Sequence, residues 1–529
     1  MDNKNLILAF ALSMGVLFGW SWMFPPVEPV QQVEQTENRN TETANNQAGQ
    51  NSTAISSTTE TSIQGENPTT QVVTSESIRT FGNDVLELTI NAKGWLTDAV
   101  LLNYQESLDN PEKIKPLSSG DFHEAYINSG VVGQTLAEPF KLTSLNESPD
   151  KTTATFEAKL SDGYTWQRTY TLEKGSYLVN VKDRIKDGAG LKLYRQVVEK
   201  NPLEAAAENY NEHIGPIGLF NDELTEVSYD DLDEMGAKKL AAMGGWTGMM
   251  TRYFISAIYG TDQDESYRYY YKGDGRSYQA GMINDGMVEQ GDMVFDNNMY
   301  IGPKSVPLLE KLHVGLERSV DFGWFTVIAK PLHEVMLWLN QYISNFGVII
   351  ILMVITIKII LFIPTQGAYR SMAAMRKLQP EMVRLKDRYG DDRAKMGQEV
   401  MAMYKKNKVN PLGGCLPILM QMPIFFALYK VLLISIELRQ APFYGWIEDM
   451  SVQDPFFVLP ILMGISMYIQ MKLNPQPTDP IQAKVMQFLP IMMTALFLFF
   501  PAGLVLYWVV NNVLSIIQQR LVMKSMNVD

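Results

Sequence analysis

Long apolar runs lie at both ends of the chain, and between them apolar and polar residues alternate. Residues 6–24 are 19 residues without a charge, enough to cross a hydrocarbon core of about 30 Å as a helix. A cleaved signal peptide is the alternative, because Lys4 precedes the run. The only small-residue cleavage pattern, at Gly19 and Ser21, lies inside the run, and bulky residues follow it. The pattern favours a retained transmembrane anchor over residues 1–27.

The next part of the chain changes from polar to alternating. Residues 28–75 hold no aromatic residue, Leu or Met, which predicts a flexible polar linker. Residues 76–321 then alternate with period two, as in residues 152–185, and Gly-containing turns separate the runs. Two helices are predicted in this region, near residues 230–243 and 306–318. We therefore expect an all-β sandwich domain.

The remainder of the chain is predicted to be helical and membrane-bound. Residues 322–345 repeat apolar side chains every three or four positions, which predicts an amphipathic helix in the membrane interface; a surface helix of the sandwich is the alternative. Apolar runs predict spanning helices at residues 346–363, 412–435, 456–471, 486–500 and 503–517. With the anchor, this makes a polytopic protein of six transmembrane helices, with a five-helix core over residues 346–529.

Charge is divided unevenly and predicts the orientation. The net charge is −13, but residues 25–322 carry 25 basic and 45 acidic side chains. The segment 365–411 carries 11 Lys and Arg against 5 Asp and Glu, so we expect it on the cytoplasmic side. Counting spans in both directions then places both termini in the cytoplasm and residues 25–322 outside.

Lys358 is the strongest candidate for a functional residue, because it lies within an otherwise uncharged span and intramembrane charges are costly. The alternative is that its side chain snorkels to the headgroups about 7 Å away. Polar residues in other spans could form a wet cavity with it, or could merely join helices by hydrogen bonds. They are Gln421, Thr494, Asn511 and Asn512.

The cytoplasmic segment 365–411 has the spacing of a helical hairpin with a coiled-coil-like seam. Met375, Met382, Met396 and Met403 lie on this seam. Such methionines are usually core residues, but Met also suits contact with varied apolar segments. A basic hairpin of this kind could meet ribosomes or emerging chains.

The sequence offers little material for catalysis or for a metal site. It has one Cys, Cys415, and four His, and it contains no Walker loop, GxSxG or HExxH motif. We therefore predict no catalytic residue, no metal, no cofactor and no direct nucleic-acid partner.

Several ordered motifs in the last 130 residues carry a family resemblance. They are NPLGGCLP at residues 410–417, ELRQAPF at 437–443, LPILMG at 459–464 and FPAGLVLY at 500–507. They resemble the YidC membrane-protein insertases of the YidC/Oxa/Alb group. The anchor and exterior sandwich resemble the Gram-negative form, which has a large periplasmic domain.

The resemblance implies that the chain inserts and helps to fold bacterial inner-membrane proteins, alone or with the Sec translocon. It implies a lipid-open groove holding water and one basic residue, usually Arg, at the position of Lys358. It also implies that Tyr507 and Trp508 line that groove, that nascent chains and Sec accessory subunits are partners, and that no nucleotide is consumed. Lys430 stands where the family usually has an uncharged residue, and the sequence gives no reason for it.

Two other classes of function compete with this interpretation. A secondary transporter would show duplicated halves with interrupted helices, and the clustered spans show no such repeat. An anchored envelope protein that binds glycans through its sandwich would need no lysine-bearing groove.

Overall fold

The computed structural model describes residues 77–120, 122–202, 213–389, 392–410, 416–474 and 480–526. The predicted anchor over residues 1–27 and the linker over residues 28–75 lie outside the described residues. So does the central part of the NPLGGCLP motif, residues 411–415.

The strand-rich region forms two antiparallel sheets, as the alternating pattern predicts. Strands are numbered along the chain. In spatial order the first sheet contains β1 (Ser77–Gly82), β2 (Leu86–Asn91), β3 (Leu96–Gln105), β4 (Lys113–Ser119), β5 (Glu124–Val131), β10 (Leu193–Lys200), β17 (Ser277–Asn284), β16 (Ser266–Gly273) and β13 (Ala237–Met243).

Again in spatial order, the second sheet contains β12 (Glu223–Glu226), β11 (Gly215–Phe220), β14 (Trp246–Met250), β15 (Phe254–Gly260), β19 (Asp292–Pro303), β9 (Leu178–Ile185), β8 (Thr165–Glu173), β7 (Lys151–Leu160) and β6 (Leu136–Glu147). The short β18 (Met287–Glu289) pairs with β19. Alternate side chains of β7, β8 and β9 are buried, because successive residues of a strand face opposite sides of the sheet. The inner faces of the two sheets make the core of this sandwich.

A fully buried charge cluster joins the two sheets. Asp183 on β9 accepts from Arg168 Nε at 2.6 Å and from Arg195 Nη2 on β10 at 2.5 Å. Trp166 Nε1 also donates to Asp183 at 2.7 Å. All three charged side chains are at most 1% exposed, so the pairing fixes how the sheets lie on each other.

The described residues contain eleven α-helices. They are α1 (Tyr229–Met235), α2 (Val306–Glu310), α3 (Thr326–Asn340), α4 (Phe346–Ile360), α5 (Phe362–Lys377), α6 (Gln379–Tyr389), α7 (Arg393–Lys406), α8 (Leu416–Ile434), α9 (Val458–Leu473), α10 (Pro480–Phe497) and α11 (Ala502–Ser525). Helices α6 and α7 form the predicted hairpin. By length and apolar composition, α11 alone among the described helices is sufficient to cross a membrane, and α4 with α5 is sufficient as a bent pair.

Two helix predictions in the strand-rich region were wrong in extent. The helix predicted over residues 230–243 ends at Met235, because Gly236 adopts a φ of 70°. The residues after it form β13, which pairs with β16. The helix predicted over residues 306–318 is reduced to α2 and a short 3₁₀ turn, Leu316–Ser319.

The predicted span over residues 346–363 is also interrupted. Helix α4 ends at Ile360, and α5 leaves it at an angle of 72°. Pro364 provides the physical reason, since its ring would clash with the carbonyl of Ile360 in a continuous helix. Lys358 therefore lies in the last turn of α4, next to the bend.

Candidate functional site

One face of α11 is polar and buried. Tyr507, Asn511, Ser515 and Gln518 recur every three or four positions and are at most 8% exposed, so they share one side of the helix. Exposed Val513 is on another side of α11. This buried polar face of α11 marks the site.

Lys358 reaches this face from α4. Its Nζ donates to Ser515 Oγ at 2.8 Å, and Ser515 in turn donates to the carbonyl of Asn511 at 2.7 Å. Among the described residues, no carboxylate lies within ion-pair distance of Lys358. The lysine charge is therefore held by a neutral hydroxyl, and its other N–H groups can serve a ligand.

Gln421 and the aromatic residues continue the site towards the sandwich. Gln421 Nε2 on α8 donates to Tyr507 Oη at 2.5 Å. The ring of Trp508 lies 5.1 Å from Phe425 on α8 and 5.6 Å from Phe497 on α10. Trp508 thus stands where α8 and α10 converge on α11, and its buried Nε1 has no hydrogen-bond partner in the described ranges.

The structure does not bring Thr494 and Asn512 to Lys358. Asn512 Nδ2 donates to Ser466 Oγ on α9 at 3.0 Å. Thr494 Oγ1 donates to the carbonyl of Pro490 at 2.7 Å. The same oxygen lies so close to Gly464 of α9 that a Cβ added to this glycine would be 2.0 Å from it. The Asn512 bond joins α11 to α9, and the contact between Thr494 and Gly464 packs α10 against α9, so both residues join helices.

Sequence reasoning missed Ser515, Gln518 and Gln519. Gln518 donates to Thr365 Oγ1 on α5 at 3.0 Å, and Gln519 donates to the carbonyl of Leu473 on α9 at 3.2 Å. The available signal was their spacing after Tyr507 and Asn511, which extends the polar face beyond the predicted end of the span at residue 517.

The predicted hairpin methionines have different surroundings. Met382 and Met403 are buried in the hairpin, and Tyr404 Oη donates to Met382 Sδ at 2.9 Å. Met375 is buried in a small core with Val522 of α11, and Met396 is half-buried. A client contact by these side chains stays a prediction.

The site has no arrangement suited to a metal. Across the described ranges, no group of three or more His, Cys, Asp or Glu side chains could hold a metal ion. What the geometry can offer is one positive charge, hydrogen-bonding groups and an aromatic wall.

A bundle of apolar helices with a buried polar face, joined to a two-sheet sandwich, defines a helical membrane protein with a large extramembrane domain. Comparison with known families agrees: residues 79–335 match the YidC periplasmic domain and residues 338–529 match the 60Kd inner membrane protein. The chain belongs to the YidC family of membrane protein insertases, and it is a bacterial inner-membrane protein with a periplasmic domain.

Individual relatives are similar over nearly the whole chain. The membrane protein insertase YidC of Magnetococcus marinus is 36% identical and covers 99% of each chain. That of Marinomonas sp. is 37% identical with the same coverage. The crystal structure of an active YidC insertase with its first transmembrane domain resolved covers 84% of this chain and 94% of its own, at 18% identity and a TM-score of 0.39.

Proposed function

We propose that the polar face of α11 and Lys358 form a groove through which the chain inserts membrane proteins. The observation that carries this proposal is the lysine ammonium, which among the described residues is held only by Ser515 Oγ, at 2.8 Å. A charge with a neutral partner and no described counter-ion attracts an acidic residue in the exterior tail of a client. Gln421, Tyr507 and Asn511 supply hydrogen-bonding groups for the polar tail, while Thr494 and Asn512 hold the helices around the groove.

Insertion is driven by transfer of the client's apolar span to lipid. A span of about 20 residues gains on the order of 10 kcal/mol, whereas one charged residue near the bilayer centre costs about 3 kcal/mol. A groove that shortens the apolar path for the polar tail is therefore sufficient without nucleotide hydrolysis. In this scheme the client leaves between α8 and α10, past Trp508.

The other parts of the chain have proposed roles around this groove. The periplasmic sandwich occupies residues 76–321, the interfacial helix residues 322–345 and the insertase core residues 346–529, with both termini in the cytoplasm. The hairpin over residues 365–411 receives emerging chains, including those on ribosomes. Sec translocon subunits are partners for clients that use both routes.

A photo-crosslinking experiment tests the groove. A photoreactive residue at Trp508 is presented with ribosome-bound chains of a single-span client, arrested at increasing lengths. We expect crosslinks only once the apolar segment has emerged from the ribosome. A probe at Val513, on the exposed side of the same helix, is the matched control. Equal crosslinking at both positions, or none at any length in a folded membrane-bound protein, contradicts the proposed path.

A further inference from the structure

The sandwich contacts the membrane core at the segment that follows α8. We call residues 433–440 the docking segment. It comprises the end of α8, the 3₁₀ turn Ile436–Leu438 and the two residues after it. Its apolar members Leu433, Ile436 and Leu438 belong to one buried core that is continuous with the sandwich.

Arg439 makes the most extensive polar contact of this segment. Its Nη2 donates to the backbone carbonyls of Gln105 at 2.5 Å and Glu106 at 2.6 Å, at the end of β3. Its guanidinium also lies 5.7 Å from the ring of Phe254. Gln440 Nε2 adds a third bond, to the carbonyl of Gln105 at 2.9 Å. Charge-assisted bonds to carbonyls are stronger than neutral ones, so this corner of the sandwich is firmly attached.

Glu437 attaches the same segment to the connection between sandwich and α3. Its Oε1 accepts from Ser305 Oγ at 3.1 Å. Its Oε2 lies 3.8 Å from Nε2 of His333, a buried residue of α3. Phe325, the residue just before α3, also stacks on Phe426 of α8, and the two ring centroids are 5.4 Å apart.

Further contacts come from the second sheet. Tyr253 Oη, between β14 and β15, donates to the carbonyl of Leu433 at 3.3 Å. Attachments at the end of β3, at Ser305 after β19 and at the β14–β15 turn are spread over the sandwich, so they restrict both the position and the tilt of α8.

Helix α8 also borders the proposed client path, where Phe425 contacts Trp508. We propose that Arg439 and Glu437 are positioning residues, through which the docked sandwich holds the α8 wall of the client path in place throughout insertion. This inference rests on the proposed function of the groove. It also makes the sandwich a fixed support for the core, in addition to any contact with partners.

A reversible bridge tests whether the sandwich stays docked. Gln105→Cys and Gln440→Cys are introduced together with Cys415→Ser, which removes the only native thiol. A short bis-methanethiosulfonate reagent bridges the pair in the full-length protein in proteoliposomes, and reductant releases it. We expect equal insertion of a single-span client before bridging, after bridging and after release; the single Gln440→Cys variant is the control. Insertion that is lost on bridging and returns on release would overturn the inference.

Substitution of Arg439 tests the positioning role. Arg439→Ala weakens docking by about tenfold or more, because it removes two charge-assisted bonds. The expected readouts are a lower bridging yield between positions 105 and 440 and client crosslinks to Trp508 spread over more client residues. In Arg439→Lys we expect part of the bridging yield and part of the narrow crosslink pattern to return. Arg268→Ala replaces a sandwich arginine that pairs with Asp285, and it should change neither readout. A narrow crosslink pattern in folded Arg439→Ala protein would refute positioning, whereas failure of the unbridged parent to insert clients would refute only the groove.

Discussion

The sandwich contains fully buried basic residues and the helical core a half-buried one, in contrasting surroundings. In the sandwich, Arg168 and Arg195 share the carboxylate of Asp183, and all three side chains are fully enclosed. In the core, the Ser515 hydroxyl is the one hydrogen-bond partner of Lys358 within the described part of the chain. A paired buried charge fixes structure, whereas a charge held by a neutral group keeps its attraction for a ligand. The contrast separates a structural charge from the charge to which we assign a function in the same chain.

The largest expected effect comes from breaking the sandwich cluster. Asp183→Ala leaves two arginines buried without their counter-ion, which costs about 3–5 kcal/mol in the free energy of unfolding. Urea unfolding followed by far-ultraviolet circular dichroism measures this loss. Asp285→Ala is the control, because Asp285 is 60% exposed in its pairs with Lys192 and Arg268, and we expect less than about 1 kcal/mol. Similar losses in both variants would remove the distinction between the two regions.

Lys358 should affect activity more than stability. We expect insertion of a client with an acidic exterior tail to follow the order wild type and Lys358→Arg, then Lys358→Ala, then Lys358→Glu. Insertion by the Lys358→Glu variant should be slower by about tenfold or more, because the attraction between residue 358 and the acidic tail becomes repulsion. Insertion into proteoliposomes measures the order, and Lys484→Glu at an exposed lysine of α10 is the control. An unchanged order with a neutral-tailed client would show that the charge acts in some other way.

Ser515 should have an intermediate effect through Lys358. Ser515→Ala removes the hydroxyl that accepts from the ammonium, and the loss of one such bond corresponds to about tenfold or less in rate. Ser515→Thr keeps the hydroxyl and should retain activity in the same insertion assay. In a Lys358→Ala background we expect no additional loss; an additive loss would mean that Ser515 acts independently of the lysine.

Asn512 gives the smallest expected effect and sharpens the difference between joining and binding residues. Asn512→Ala removes the bond to Ser466, which is worth about 0.6 kcal/mol for a typical pair in a membrane protein. The melting temperature in detergent should fall slightly, with insertion per folded molecule unchanged. A strong loss of insertion without loss of stability would place Asn512 in the groove.

Local patterns predicted the elements whose pairing depends on neighbours in the chain. The alternation over residues 152–185 anticipated β7, β8 and β9 with their turns. It failed at residues 237–243, where Ala, Lys, Leu and Met favour a helix but pairing with β16 makes a strand. Long-range pairing overrides intrinsic propensity there, because the neighbouring strand supplies the backbone partners.

The candidate site was predicted by residue type and only partly by arrangement. Lys358 and Gln421 are conspicuous as a charge and an amide in apolar surroundings, whereas Trp508 was indicated only by the family resemblance. Ser515 is not conspicuous, and only the structure shows that its hydroxyl accepts a hydrogen bond from the Lys358 ammonium. Arg439 belongs to a recognised motif, but its partners are backbone carbonyls more than 300 positions away, which side-chain patterns do not reveal.

The sequence by itself determined the class of this protein: a strand-rich acidic region, a membrane-bound helical region, a lysine within an otherwise uncharged span and the motifs of an insertase family. These features follow from hydrophobicity, local periodicity and charge, which are properties of neighbouring residues. The tertiary structure alone decided which face of α11 is polar and buried, where α4 bends and how the sandwich is attached to α8. Those outcomes depend on which distant residues meet, and hydrogen bonds and packing select them only once the chain has folded.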